Sequence, residues 1–353
     1  TEKNIMPIDI VHHLPRKSWS QFVNENHSSN IFHTPEMFDV FERTRYYEPE
    51  LWAAVTEGRI LCIYVPVNIN LFSNPLLRKL TTRAVAFGSV LIEDSQEGQR
   101  ALEELLRQYS RQAKKKAIFT ELRNVMDLSD LRLFINKTGF YFENHLNYLI
   151  YLDRNSDCVF RKIGPRTRKN IKRAIKKNIV HLESVDNLDK LEECYNLLEN
   201  TYKKAAVPLA DRTLFEAAFE ILLPKGMLKI TLARVHGNAA AVSFDLLYKK
   251  TMLGWYGGLD RRFRAYMPNE VLTWELLRWG CENGFELYDF GGAGRPSQKY
   301  GVRDFKAKFG GQQVDYGRFK NIHSNLLYRT GVFFYEILRP SLLRMKLGER
   351  SNR

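Results

Sequence analysis

Long apolar runs, paired cysteines and an export signal are all missing from this chain of 353 residues. No stretch reaches the ~18 apolar residues that a membrane-spanning helix needs. The four cysteines, Cys62, Cys158, Cys194 and Cys281, form no CxxC pair, which argues against a zinc knuckle or a disulfide framework. Because no charged segment followed by an apolar core opens the chain, we expect a cytoplasmic protein that is not exported.

Motifs for covalent catalysis and for metal binding are missing as well. The sequence has neither a GxSxG elbow nor a Cys and His signature that would indicate a covalent intermediate. His12 and His13 have no third ligand nearby, so we expect no metal site. An enzyme with this sequence is therefore expected to act without a metal, a resident cofactor or a protein nucleophile.

What the chain does have is the composition of a folded protein with a strong positive charge. Apolar residues make up 44% and charged residues 27%, which excludes a disordered chain, and the length predicts two domains. The 54 Lys and Arg residues exceed the 40 Asp and Glu residues and give a net charge of +14. Such a charge attracts nucleic acid, nucleotide phosphates or an acidic membrane surface, and it does not choose among them.

Strand and helix patterns alternate along the chain and predict an α/β fold. The order of elements found up to residue 152 recurs over residues 157–290, which indicates two units of similar architecture. Within these units we expect unbroken strands at 60–71 and 84–92 and one long helix at 157–178.

A last helix is predicted at 324–338, with more helix after Pro340. Its mixture of aromatic, apolar and basic residues is typical of helices that lie on an anionic membrane surface. An apolar stripe more commonly packs against the rest of the protein, so the alternative is a helix that returns to the first unit. The sequence does not decide between these two roles, so peripheral contact of the protein with the inner face of the membrane is kept as an alternative.

A basic segment covers residues 161–177 and holds nine Lys or Arg residues without one acid. Pairs at i and i+4 cannot neutralise it, so it projects a positive field. Ile163, Ile171, Ala174 and Ile175 supply an apolar side. The functional interpretation is a surface that binds the phosphates of an RNA or a nucleotide-linked substrate. The alternative is a solvated basic face. The candidate phosphate-binding residues are Arg166, Arg168, Lys169, Lys172 and Arg173.

A glycine-rich loop follows the predicted strand that ends at Phe290. Gly291, Gly292 and Gly294 permit positive φ angles and a close approach of substrate to the backbone, although GGxG alone fits many turns. Asp289, directly before the loop, could accept a proton, and its alternative role is to cap the loop.

Two motifs of this region together resemble the C-terminal signature of the FemAB/FemX peptidyltransferases, which belong to the broad GNAT-like fold group. They are Asp289-Phe290-Gly291-Gly292 and Tyr300-Gly301-Val302-Arg303-Asp304-Phe305-Lys306-Ala307-Lys308-Phe309-Gly310-Gly311. The resemblance extends to residues 33–36, 87–89 and 167–172. It implies two tandem GNAT-like domains with mixed β-sheets flanked by helices. The first domain would comprise residues 1–150 plus 312–353, and the second residues 151–311.

The resemblance also implies an activity, the transfer of an amino acid from aminoacyl-tRNA to the amine of a peptidoglycan precursor peptide. Lys306 would stabilise the tetrahedral oxyanion, and Phe305 would contribute its main chain beside the acyl carbon. Aminolysis of an activated ester needs such a positive charge and no protein nucleophile. Without the motif, Lys306 would be interpreted as a solvent-exposed lysine on a strand. The residues predicted to contact substrate are Arg212, Tyr256, Asp289, Gly291, Gly292, Tyr300 and Arg303.

Two features leave the substrates open. Phe41 or Glu42 stands where FemX-like enzymes have a first-helix lysine for the nucleotide diphosphate, which argues against a nucleotide-linked acceptor. The alternative is an acyl-CoA-dependent N-acyltransferase that acts on an amino sugar or a lipid-linked glycan. Residues 261–268 have arginines but none of the glycines that usually bind the CoA pyrophosphate, which counts against that alternative. A non-catalytic RNA- or membrane-binding protein would leave the lysine-rich motif unexplained.

Overall fold

The computed structural model describes residues 7–70, 78 and 81–331. The chain divides into two compact units. Within the described residues, the first unit holds residues up to 144 together with 316–331, and the second holds residues 145–315. The chain therefore leaves the first unit, builds the second, and returns.

The first unit contains four helices whose bounds lie wholly within its described part, and ten described strands. The helices are α1 (Arg16–Glu25), α2 (Pro35–Arg43), α3 (Gln96–Ala113) and α4 (Arg132–Asn136). The strands are β1 (Asp9–Val11), β2 (Tyr47–Pro49), β3 (Trp52–Thr56), β4 (Arg59–Tyr64), β5 (Val67–Ile69), β6 (Arg83–Ala86), β7 (Val90–Ile92), β8 (Phe119–Arg123), β9 (Tyr141–Glu143) and, after the second unit, β17 (Arg318–Ile322).

These strands form two sheets with the orders β1-β3-β4-β7 and β2-β5-β6-β8-β17-β9. Only β6 and β8 pair in parallel among the described strands of this unit. Ser95 caps α3 by accepting a hydrogen bond from the Gly98 amide, and the apolar face of the helix is buried. On that face the Tyr109 ring meets Trp52 at 5.4 Å and Tyr64 at 4.8 Å between centroids.

The two long strands predicted for this unit are wrong, because each is interrupted and changes sheet. The predicted strand 60–71 is divided into β4 and β5, with its residue 71 outside the described residues. Pro66, which cannot donate a ladder hydrogen bond, lies between the two strands. The predicted strand 84–92 is divided into β6 and β7 by residues 87–89, where Ser89 has a φ of 64°. Each of these two segments is apolar along its length, and that pattern alone did not show that each segment forms two strands.

In its described part, residues 145–315, the second unit contains six helices and seven strands. The helices are α5 (Ser156–Lys162), α6 (Pro165–Lys177), α7 (Leu188–Lys204), α8 (Arg212–Ile221), α9 (Pro268–Glu282) and α10 (Gly301–Ala307). The strands are β10 (Leu146–Tyr151), β11 (Val180–Ser184), β12 (Leu228–Val235), β13 (Asn238–Tyr248), β14 (Thr251–Leu259), β15 (Leu287–Gly292) and β16 (Gln312–Asp315).

All seven strands of the second unit form one mixed sheet of the order β11-β12-β13-β14-β15-β10-β16. β14 and β15 pair in parallel over only three residues each, Thr251–Leu253 against Leu287–Asp289. Beyond that point β14 is registered only with β13, and β15 only with β10. The two parallel strands therefore part at Asp289, in the middle of the sheet.

The structure places the domain boundaries differently from those predicted. Residues 146–150 and 312–315, predicted in the first domain, belong to β10 and β16 of the second unit, because β10 pairs with both β15 and β16. The predicted helix 157–178 is broken into α5 and α6 at Gly164 and Pro165. Of the predicted C-terminal helix 324–338, residues 325–331 are helical and Ser324 is not, and the residues after 331 lie outside the described part of the chain.

Candidate active site

The glycine-rich loop predicted after Phe290 overlaps the end of β15, because Gly291 and Gly292 belong to that strand beyond the point, at Asp289, where it parts from β14. Gly291 has a φ of +70°, a conformation that residues with a side chain rarely adopt. A Cβ atom at this position would lie 3.1 Å from the carbonyl oxygen of Gly254 on β14. Gly291 therefore allows the two backbones to stay close where their ladder ends.

Lys306 lies on α10 and reaches the backbone of this loop. Its ammonium donates hydrogen bonds to the carbonyl oxygens of Phe290 at 2.6 Å, Gly291 at 3.1 Å and Gly292 at 2.8 Å. The residue is 7% exposed, so the alternative of a solvent-exposed strand lysine is wrong. All three N–H donors of the ammonium are used by the protein itself.

Asp289 is the acidic counterpart of Lys306 in this loop. It is 2% exposed, and its Oδ1 accepts a hydrogen bond from the Gly291 amide at 2.7 Å. The side-chain amide of Asn147 on β10 donates to its Oδ2 at 3.3 Å. The carboxylate thus caps the loop from the strand that leads into it.

Burial displaces the pKa values of both residues toward neutrality. Loss of solvation raises the pKa of Asp289 to about 6, and the Gly291 amide, the Lys306 charge and Asn147 oppose that rise. Loss of solvation lowers the pKa of Lys306 to about 8, against the opposing charge of Asp289. At neutral pH the loop therefore holds a fixed cation and a fixed anion.

This arrangement can stabilise negative charge that develops beside the loop. A cation held by three carbonyl groups needs no reorganisation during a reaction, and its field is strong where water is excluded. Because its three donors are occupied, Lys306 acts on such a charge through its field unless one of the carbonyl bonds is exchanged for a bond to substrate.

Phe305 anchors α10 from the apolar side. Its ring is partly buried and lies 5.2 Å from the fully buried ring of Phe309, which in turn contacts Phe290 at 5.8 Å. The Phe305 carbonyl accepts a hydrogen bond from the Lys308 amide at 3.2 Å. The aromatic chain from Phe305 to Phe290 fixes Lys306 relative to the strand whose carbonyls it binds.

Arg303 and Tyr300 hold the next part of the loop. The Arg303 guanidinium donates to the carbonyl oxygen of Ala293 at 2.9 Å, to that of Pro296 at 3.3 Å, and to that of Arg295. The Tyr300 ring is 41% exposed and lies against Gly294, where a Cβ atom would come within 3.1 Å of it. Arg303 thus shapes the loop, and Tyr300 leaves an aromatic face open on it.

The structure does not bring Arg212 or Tyr256 into contact with Lys306. Arg212 begins α8, is exposed, and pairs with Glu216 at 2.7 Å and Glu192 at 3.3 Å. Tyr256 on β14 packs its ring against Phe215 at 4.8 Å between centroids. It also lies 6.0 Å from the ring of Tyr202 at the end of α7.

The basic segment forms the exposed face of α6. Thr167, Ile171 and Ala174 are buried, whereas Ile175, predicted on the apolar side, is 47% exposed. Arg168 donates to the carbonyl oxygen of Arg161. Within the described part of the chain, none of the α6 cations forms an ion pair, so their charge is uncompensated. The exposed candidates are Arg166, Lys169, Lys172 and Arg173.

Two polar groups of the sheet were missed at the level of sequence. Asn147 supports Asp289, and Asp245 on β13 is fully buried, where it accepts hydrogen bonds from Ser243 at 2.7 Å and Tyr288 at 2.8 Å. Burial raises the pKa of Asp245 to about 6. The available signal was a single polar residue inside an otherwise apolar strand, as in Leu146–Tyr151.

Two other kinds of feature are absent from the described residues. Over residues 7–70, 78 and 81–331, no cluster of three or more His, Cys, Asp or Glu side chains is placed to hold a metal ion. The same part of the chain has no helix with the length and apolarity of a membrane span.

Residues 165–307 match the family described as an acetyltransferase (GNAT) domain. The match begins with α6 and ends with α10, so it contains the basic face, the parted strands and Lys306. The family match therefore lies wholly within the second unit.

The chain is also similar to Fem-type proteins. A lipid II:glycine glycyltransferase of Staphylococcus haemolyticus is 26% identical over 176 residues, which are 47% of this chain and 41% of the relative. The match thus spans less than half of that relative's length. In fold, the crystal structure of FemX covers 91% of this chain and 99% of its own with a TM-score of 0.70 and 15% identity. A tandem GNAT protein from the clavulanic acid biosynthesis pathway covers 90% and 99% with a TM-score of 0.58 and 12% identity.

These similarities confirm the α/β fold of two tandem GNAT-like domains and the resemblance to the Fem-type transferases. The fold is supported along most of the chain, while the similarity in sequence covers about half of it.

Proposed function

Because the chain resembles Fem-type transferases in sequence and has their GNAT-like fold, we propose that it transfers an amino acid from aminoacyl-tRNA to the amine of a cell-wall peptide precursor. The observation that carries this proposal is the buried Lys306 ammonium on the carbonyls of Phe290, Gly291 and Gly292. It supplies a fixed positive charge at the point where two parallel strands part.

The proposed reaction is the direct aminolysis of the aminoacyl ester. The acceptor amine attacks the acyl carbon, and the tetrahedral intermediate carries negative charge on the former carbonyl oxygen. The new C–N bond remains, the C–O bond to the tRNA ribose breaks, and the amine proton is passed to the leaving ribose oxygen. The ester is already activated, so no protein nucleophile is needed.

Lys306 would stabilise that intermediate through its charge. Removing a comparable fixed donor from an oxyanion site lowers kcat by about 10²–10³-fold. Phe305 would serve the same step by holding α10 in place and by presenting its main chain near the acyl carbon. Asp289 would contribute by keeping Lys306 protonated.

The basic face of α6 is proposed to bind the phosphates of the tRNA. Arg166, Lys169, Lys172 and Arg173 are exposed and have no carboxylate partner among the described residues, so phosphates would meet no competing anion. Arg168 is partly held by the Arg161 carbonyl oxygen and would contribute charge more than geometry.

The remaining candidates would position the reacting groups. Tyr300 offers an exposed ring for stacking, and Gly291 and Gly292 present backbone without side chains. Arg303 would act indirectly, because its donors hold the loop carbonyls. Tyr256 is proposed to line the acyl group's path, and Arg212 would bind a phosphate only by sharing its guanidinium with Glu192 and Glu216.

The acceptor is proposed to be a lipid-linked peptidoglycan precursor, since the curated relative is named for lipid II. Such a substrate would bring the protein to the inner face of the membrane, where a net charge of +14 favours contact with anionic lipid.

The catalytic proposal is tested by Lys306→Met, which removes the charge and keeps a long apolar side chain. We expect transfer from aminoacyl-tRNA to a peptidoglycan precursor to fall at least about 100-fold, as for other fixed oxyanion donors. Circular dichroism should show an unchanged fold. The matched control is Lys308→Met, because Lys308 is exposed and lies two residues further on. An unchanged rate in Lys306→Met would reject the assignment.

The donor is tested by a binding titration at physiological salt. Charged tRNA, uncharged tRNA, a scrambled RNA and acetyl-CoA are each titrated into the purified chain. Preference for charged tRNA supports aminoacyl transfer. Saturable binding of acetyl-CoA, together with RNA binding that is indiscriminate and salt-sensitive, would reject the tRNA donor and support the acyl-CoA alternative.

A further inference from the structure

A separate cavity of about 340 Å³ lies in the second unit, beside the start of β12 and the end of α9. None of the residues that line it belongs to the glycine-rich loop, to α10 or to the basic face of α6. Its volume is at the lower end of the ~300–1,000 Å³ range of small-molecule sites. The proposed transfer reaction does not use it.

The walls of this cavity are apolar and its rim is polar. Val185, Leu228, Ile230 and Leu247 are buried in its lining. The rings of Trp279 and Phe285, 5.6 Å apart, form an aromatic wall. Ser184 and Asn283, which also line the cavity, are exposed. The cavity therefore suits the apolar part of a small ligand that enters from the solvent.

One lining residue, Lys229, brings a charge into these apolar surroundings. Its ammonium lies 4.3 Å from the centroid of the Trp279 ring. It is partly buried, and it forms no hydrogen bond or ion pair with any residue that the structure describes. Loss of solvation lowers the pKa of Lys229. Three N–H donors are thus available at the cavity wall.

The opposing charge of Asp245 does not satisfy this ammonium. Asp245 faces Lys229 across the β12–β13 ladder, and its charge raises the pKa of Lys229 against the effect of burial. Both carboxylate oxygens of Asp245 already accept hydrogen bonds, one from Ser243 and one from Tyr288, and the residue is fully buried. Asp245 therefore keeps Lys229 cationic without occupying its donors.

We propose that this cavity binds a small amphipathic carboxylate, with the carboxylate on the Lys229 ammonium and the apolar tail against Trp279, Phe285 and the aliphatic wall. Lys229 would donate charge-assisted hydrogen bonds, which are shorter and stronger than those between neutral groups. The tail would displace water from the aliphatic and aromatic surface. This site is independent of the proposed transferase activity.

The proposal is tested by isothermal titration of the full chain with octanoate and, as an uncharged probe of the same length, 1-octanol. We expect saturable binding of octanoate that is at least about tenfold tighter than that of octanol. Lys229→Met should remove this difference by weakening octanoate and leaving octanol unchanged. Lys203→Met, an exposed lysine on α7, is the matched control and should change neither affinity.

A second variant tests occupation of the cavity without changing the charge of Lys229. Ser184→Trp places a bulky ring at the exposed rim and should weaken both ligands while the fold, followed by circular dichroism, stays intact. Absence of saturable octanoate binding, equal binding of octanol by the natural chain, or an unchanged octanoate affinity in Lys229→Met would each overturn the proposal. Transfer activity is not a readout, so failure here leaves the proposed function untouched.

Discussion

At the scale of single residues, Asp289 and Lys306 determine the charge of the glycine-rich loop. Burial brings the pKa of Asp289 up to about 6 and that of Lys306 down to about 8. Between these values both groups are ionised, and each charge favours the ionised form of the other. Above pH 8 the lysine becomes neutral, and the loop then holds an anion where the proposed reaction needs a cation.

We therefore expect kcat/KM for transfer to fall as the pH rises through about 8. Asp289→Asn removes the negative charge that keeps Lys306 protonated, so the fall should move to lower pH. The measurement is a pH profile of initial rates, with spontaneous hydrolysis of the aminoacyl ester measured without enzyme and subtracted.

Asp304→Asn is the control for this profile, because Asp304 is exposed on the same helix as Lys306. Its midpoint should match that of the natural chain. If Asp289→Asn and Asp304→Asn had the same midpoint, the electrostatic link between Asp289 and Lys306 would be refuted.

The burial of Lys306 could not be predicted from the sequence. The motif made Lys306 the catalytic candidate, but the residues that surround it in the fold could not be predicted from the sequence. Its hydrogen-bond acceptors come from Phe290, Gly291 and Gly292, at least fourteen residues away in the chain. Only the folded loop brings these carbonyl groups close to the Lys306 ammonium. The local sequence around Lys306 was therefore equally compatible with an exposed lysine on a strand and with a buried lysine on a helix.

At the scale of elements, α10 is fixed at its C-terminal end by Gly310. Gly310 has a φ of +75°, and a Cβ atom there would lie 2.1 Å from the carbonyl oxygen of Lys162 at the end of α5. The backbone of Lys308 is held as well, since its carbonyl oxygen accepts a hydrogen bond from the Gly164 amide at 2.9 Å. The junction between α5 and α6 is thus the support of α10.

We expect Gly310→Ala to destabilise the second unit by more than about 2 kcal/mol, because left-handed strain of ~1–2 kcal/mol is added to a backbone clash. Transfer should decline with it, since Lys306 is displaced. The measurement is urea unfolding followed by circular dichroism, combined with the transfer assay.

Gly301→Ala is the matched control at the other end of α10. A Cβ atom at Gly301 meets nothing within 4 Å, and the helix favours alanine. Its stability should stay equal or rise slightly. Equal behaviour of the two variants would show that the contact with α5 does not hold α10.

The break between α5 and α6 also explains one failure of prediction at this scale. Helical periodicity continued across residues 157–178, and the charge pattern suggested one uninterrupted basic helix. Gly164 and Pro165 were the local signal of a break. The reason for the break is not local, because it places Lys162 and Gly164 against Gly310 and Lys308.

At the scale of the whole molecule, the described chain passes from the first unit to the second after residue 144 and back to the first after residue 315. Phe309 is fully buried in the core of the second unit, and Phe319, ten residues later, is buried in the core of the first. Phe319 belongs to β17, which lies between β8 and β9. The first unit therefore depends on β17, which follows residues 145–315 of the second unit.

We expect Phe319→Ala to destabilise the first unit and Phe309→Ala the second, each by about 3–5 kcal/mol. Hydrogen exchange followed by mass spectrometry should show faster exchange in β3 and α3 for Phe319→Ala. For Phe309→Ala the faster exchange should appear in β10 and β15. Each variant is the control for the other, and the same pattern of exchange in both would contradict the division of the chain.

The fold class was predictable because the alternating strand and helix patterns along most of the chain indicated the same α/β fold as the resemblance based on the C-terminal motif. The boundaries between the two units were harder to predict from the sequence. β10 and β16 pair with each other, as in the hydrogen bond from the Tyr148 hydroxyl to Gln313, but nothing in either segment specifies the partner strand. Pairing of strands that are distant in sequence is decided by the whole sheet.

The late position of β17 has a consequence for synthesis of the protein. While the ribosome makes the second unit, β8 lacks the neighbour that finally covers it, and its backbone groups on that side are unpaired. At ~5–20 residues per second this interval lasts on the order of ten to thirty seconds. An open strand edge is a template for pairing with other chains. Each nascent chain therefore passes through a period of aggregation risk that ends only when β17 emerges.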